Sequence, residues 1–172
     1  MFAATLPVEQ NAMLGQAGDF QPTWLGALPS FISLLANDEL YANFYVAVDS
    51  PAFADAAAAE GMQPFLDAIA TAGEDPNAFL LAGWIQAQAV TLVLEQAVAN
   101  GDLSRAGLLQ AATELGPQNF GGLTGEYEYG PADTRRPSSQ SQIIGIDTTQ
   151  PGAVVGVATV DSDAADAYLA EL

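Results

Sequence analysis

Apolar and polar positions divide the chain into three textures. In the first, residues 2–5 form a short apolar run stopped by Leu6-Pro7, which predicts a buried strand. Pro7 suits the first turn of a helix, Val8, Ala12 and Gly15 then share one helical face, and Gly18 ends it. A second short strand follows at 23–25. Strand, helix, strand is the order of a parallel α/β unit, so the first two strands are expected to pair in parallel. "LPSFISLLAND" predicts a short helix from Pro29-Ser30 to Asn37-Asp38. The aromatic and β-branched residues 43–48 predict a third strand, ended by Asp49-Ser50-Pro51.

The second texture, 55–115, is rich in alanine and helically spaced. It predicts helices over 55–72, 77–99 and 104–115, separated at 73–76 and 101–104, with Ser104 capping the last. Gly83, Gln86, Gln88 and Thr91 break the longest apolar run, which is not read as a membrane span. In the third texture, residues 126–129, 141–147 and 153–160 read as strands and the C-terminus as a helix. The change of period at Asp49-Ser50-Pro51 predicts a helical layer largely detached from the sheet of residues 2–48.

Composition narrows the chemistry. The 172 residues suffice for one domain or two small lobes, half are hydrophobic, and only 14% are charged. The formal charge of −18 sets 21 acids against Arg105, Arg135 and Arg136. Such a surface repels nucleic acid and anionic lipid and favours solubility. There is no cysteine, histidine or lysine. Disulfides, thiolate and imidazole catalysis, Schiff bases and a Walker lysine are thereby excluded. Neither a catalytic residue, a metal site nor a cofactor is expected. Glu126 and Glu128 share one strand face, but such a pair is ordinarily a solvated face. Met1 leads directly into "FAATLP", with no basic stretch and long apolar run of a signal peptide.

Placement distinguishes one aromatic. Phe79 follows the "DPNA" turn, in the first turn of the longest helix. Helix starts and the turns after parallel strands line the crevice of open α/β sheets. The turns at Thr5-Leu6-Pro7 and 27–30 satisfy the same rule. The candidate ligand-binding residues are therefore Thr5, Leu6, Leu28, Ser30 and Phe79.

The order of these segments resembles the C-terminal half of a branched-chain amino-acid type substrate-binding protein of ABC importers, a type I periplasmic binding protein. "DPNAFLLAGWIQAQ" and "GGLTGEYEYGPADTRRPSSQSQI" carry the resemblance most specifically. It implies an α/β class, with Rossmann-like lobes, a mostly parallel sheet and an incomplete chain. Residues 1–50 would end the second lobe, 51–118 would be the helical part of the first, and 119–172 would hold the hinge-crossing strands and C-terminal segment. It also implies a non-catalytic receptor, periplasmic or a cell-surface lipoprotein, that passes a small molecule to an ABC permease. Phe79 takes the place of the family's ligand-touching aromatic. Two family features are missing: the tyrosine expected near Leu6, and an acid on the turn at 27–30. These departures favour a less polar or uncharged ligand over an amino acid. The rival reading is a structural domain that dimerises through an exposed sheet edge. Half a lobe would leave apolar faces open, so self-association is possible, with Phe2, Trp24 or Trp84 unusually exposed.

Overall fold

The computed structural model describes residues 2–3, 6–20, 22–28, 31 and 33–171. The first strand, β1 (Phe2–Ala3), is followed by helix α1 (Pro7–Gln16), with Pro7 in its first turn. Strands β2 (Trp24–Ala27) and β3 (Phe44–Val48) extend the sheet. β1 pairs in parallel with β2, and β2 with β3, as the strand–helix–strand order requires. Every second residue of β3 faces inward, so Phe44, Val46 and Val48 are buried.

Beyond β3 the sheet continues through strands from the far end of the chain. β6 (Gln140–Ile146) lies antiparallel to β3, with Val46 opposite Ile144, and β7 (Val154–Asp161) lies antiparallel to β6. The sheet order is β1-β2-β3-β6-β7. A terminal helix, α5 (Asp163–Leu169), follows β7 and is capped by Ser162.

Three helices occupy the middle of the chain: α2 (Met62–Ala72), α3 (Ala78–Asn100) and α4 (Arg105–Ala112). Their ends are written in the sequence. Asn77 caps α3 by accepting from the Phe79 and Leu80 amides at 3.1 and 3.0 Å. Gly101 closes α3 in the left-handed conformation, and Ser104 caps α4. β4 (Gly116–Gln118) and β5 (Tyr127–Tyr129) then form a separate two-stranded hairpin.

The helices are not detached from the sheet in the way the change of period predicts. Buried side chains form one connected cluster from Trp24, Phe44 and Val46 to Phe53, Phe65, Leu81 and Leu123. The Phe53 ring stacks on Phe65 at 6.0 Å, and Phe65 meets Trp84 edge-on at 6.0 Å. Trp24 is buried, contrary to expectation, and Trp84 is half-buried; the Phe2 side chain lies outside the described residues.

Three further expectations are corrected. Among the described residues of the segment expected to be helical over 29–38, only a 3-10 turn forms, at Ser33–Leu35. Phe31 is instead drawn into the core edge-on to Tyr41, and the Asn37 side chain takes the Leu40 amide that would continue a helix. The single helix expected over 55–72 is two pieces, a 3-10 turn at Phe53–Ala58 and then α2, with Ala59 extended between them. The Gly61 amide donates to the Gly121 carbonyl at 2.9 Å, which ties the start of α2 to the hairpin turn. The third is β4, which the sequence reading omits because its three residues hold a glycine and a proline.

Candidate cleft at the ends of the parallel strands

A cleft of about 410 Å³ opens where β2 and β3 end. Ala27 and Leu28 leave β2 there, and Val48, Asp49 and Ser50 leave β3. The opposite wall is the first two turns of α3, presenting Ala78, Leu81, Ala82 and Ile85. Phe120, Thr124, Tyr127 and Tyr129 of the hairpin close the third side. Carboxyl ends of parallel strands are where open α/β sheets bind ligands, and an apolar cleft with few polar groups is the usual form of a small-molecule site.

The hairpin wall depends on an unusual turn. Phe120, Gly121 and Gly122 all take positive φ, at 53, 69 and 80°. Glycine suits the last two, because a Cβ on Gly121 would stand 2.9 Å from the Gly61 amide nitrogen. Phe120 has no such freedom. Its ring is buried edge-on against Tyr129 at 6.3 Å, which holds it in place.

One ionisable pair faces the cleft. The Tyr127 hydroxyl donates to Asp49 Oδ2 at 3.1 Å, joining the end of β3 to the hairpin. Burial, and then the negative charge and hydrogen bond of Asp49, push the Tyr127 phenol up to about 12. It therefore stays a neutral donor at any physiological pH. The Thr124 hydroxyl is buried with no hydrogen-bond partner among the described residues. No arginine lines the cleft, and no cluster of acids among the described residues has the geometry of a metal site.

A wider depression, of about 900 Å³, lies between the 3-10 turn of residues 53–58 and β6–β7. It holds no aromatic side chain, and its walls are largely alanine, glycine and carboxamides. Asp55, Glu126, Thr124 and Thr159 also line it, so it is a more polar and more acidic surface than the smaller cleft.

The residues expected from sequence are only partly assembled. Leu28 lines the cleft. Phe79 is about half exposed and lines, with Leu28, a tight recess that shares Leu28, Val48, Ser50 and Ala78 with the cleft. Leu6 is exposed and lines none of these cavities. Thr5 and Ser30 lie outside the described residues. Asp49, Tyr127, Tyr129, Leu81 and Ile85 were missed. Two signals point to Asp49, Tyr127 and Tyr129, and none to Leu81 or Ile85. Asp49 ends the third strand as Leu28 ends the second, and "EYEY" puts two tyrosines on one face as surely as it puts two glutamates on the other.

No protein-family model matches the sequence, and no curated protein does. Solved structures do match. A fatty acid ABC transporter substrate-binding protein from Thermomonospora curvata superposes with a TM-score of 0.84 at 21% identity, over 98% of this chain and 44% of that one. An ABC transporter substrate-binding protein from Aeropyrum pernix gives a TM-score of 0.65 at 15% identity, over 95% and 44%. A leucine-binding protein from Thermotoga maritima gives 0.66 at 15% identity, over 95% and 45%. The chain thus spans less than half the length of each of these proteins, and its fold is that of part of an ABC-transporter substrate-binding protein.

Proposed function

We propose that this chain is a solute-binding component of an ABC importer, holding a small molecule with an apolar body rather than transforming it. The observation that carries the reading is the cleft at the carboxyl ends of β2 and β3, walled by the start of α3. Its apolar lining suits the hydrocarbon part that fatty acids and leucine share, the solutes for which two of the similar structures are named. The lack of histidine, lysine and cysteine supports a binding rather than a catalytic role. In this reading the protein works in the periplasm or at the cell surface and delivers its solute to a permease.

Thermal unfolding of the purified chain with L-leucine, a medium-chain fatty acid or n-hexylamine, which share an apolar body, is the test. A ligand that binds the folded state raises the melting temperature by mass action. Ile85→Asp, which puts a charge into the apolar wall, should abolish the rise while leaving helical circular dichroism intact. No stabilisation by any of the three, together with a dimer in sedimentation, would favour the rival interaction domain. Reading the frame upstream of Met1 for a signal and a first lobe is an independent check.

A further inference from the structure

We propose that the cleft selects an apolar amine, with the ammonium head at Asp49 and the hydrocarbon body against Leu28, Val48, Leu81 and Ile85. This rests on the solute-binding reading above and names the class of solute. Asp49 is exposed at the cleft, and one of its carboxylate oxygens already accepts from Tyr127. That hydrogen bond orients the carboxylate and leaves its other oxygen, Oδ1, available to a donor from a ligand. The remaining polar lining, Ser50, Gln86, Thr124 and the tyrosine hydroxyls, is neutral. Among the described residues, Asp49 is therefore the sole formal charge lining the cleft, and it is negative.

Charge sign decides between head groups. A carboxylate would meet Asp49 without an arginine to offset it, on a chain whose formal charge is −18. An ammonium meets the opposite situation, since Phe120, Tyr127 and Tyr129 bring three aromatic rings to the wall beside Asp49. An alcohol could donate to Asp49 but gains no charge attraction.

Titration calorimetry with n-hexylamine, n-hexanol and n-hexanoate, at neutral pH and constant salt, separates the possibilities because the hydrocarbon is the same. The expected order is amine, then alcohol, then carboxylate. Asp49→Asn should weaken the amine by about fivefold or more and leave the alcohol unchanged. Glu74→Gln removes an equal charge outside the cleft lining and should leave the amine unaffected. Hexanoate binding as well as hexylamine would overturn the proposal while preserving the solute-binding reading. So would an equal loss in the Glu74 and Asp49 variants, which would mean that general surface charge attracts the amine. A folded chain that binds none of the three overturns the amine proposal, and the solute-binding reading fails with it only if L-leucine and the fatty acid also leave the melting temperature unchanged.

Discussion

The sheet end and the α3–α4 arm differ in what holds them. Around β2 and β3, Trp24, Tyr41, Phe44 and Val46 are buried, and the rings of Phe31, Tyr41 and Phe44 meet edge-on. In the arm the local signals are complete: both helices are capped, and Glu114 receives hydrogen bonds from Gln96, Asn100 and Gln110. Its apolar faces, however, are uncovered. Val90, Leu94, Val98, Leu103 and Leu109 are exposed, and only 6% of the most apolar stretch of α3 is buried. By length and composition alone, α3 could cross a membrane. The whole chain exposes 9824 Å², against about 8,000 Å² for a compact monomer of its mass. Tertiary packing secures one region, whereas local hydrogen bonding and helix propensity secure the other.

This contrast makes its strongest prediction at Phe44 in β3, whose buried ring meets Tyr41 edge-on at 5.2 Å. Phe44→Ala should cost about 3–5 kcal/mol in urea unfolding. Val98→Ala, on the exposed arm, should move the midpoint by less than about 0.5 kcal/mol. Equal effects at the two sites would erase the distinction.

Gly121→Ala comes next. It forces a side chain onto φ of 69° and against the Gly61 amide, and should cost about 1–3 kcal/mol. A neutral result would show that the hairpin turn relaxes freely. Asn77→Ala removes the cap of α3 and should cost about 1 kcal/mol, with hydrogen exchange accelerated in its first turn.

The smallest effect belongs to Glu114. Hydrogen bonds from Gln110, then Asn100 and Gln96, hold its carboxyl below the ordinary glutamate value. A depressed pKa favours the folded state above the ordinary carboxylate range, and that contribution is lost as the pH falls through the folded value. Acid should therefore loosen the junction of α3 and α4, read as faster amide exchange at Asn100 and Gln110. Glu114→Gln should flatten the pH dependence.

The same contrast explains what the sequence could reveal. Helix ends and the parallel pairing of β1 with β2 were legible because Asn77, Gly101, Ser104 and Pro7 act locally. The break at Ala59 was not, because a turn some sixty residues later takes the Gly61 amide. The cleft was half legible. Strand ends pointed to Leu28, but Asp49 gains its orientation from a tyrosine 78 residues away, which no local pattern announces. Phe79 was correctly placed at a helix start, yet it lines the adjoining recess and not the cleft itself.

The pairing of β3 with β6 also has a consequence in time. Val46 leaves the ribosome about a hundred residues before Ile144, its partner across the sheet. At roughly 5–20 residues per second, that interval is about 5–20 s. Throughout it, the outer edge of β3 carries unpaired amides and carbonyls beside an apolar face, the combination that invites pairing with another nascent chain. The order in which the sheet is translated thus sets how long that strand stays open to aggregation.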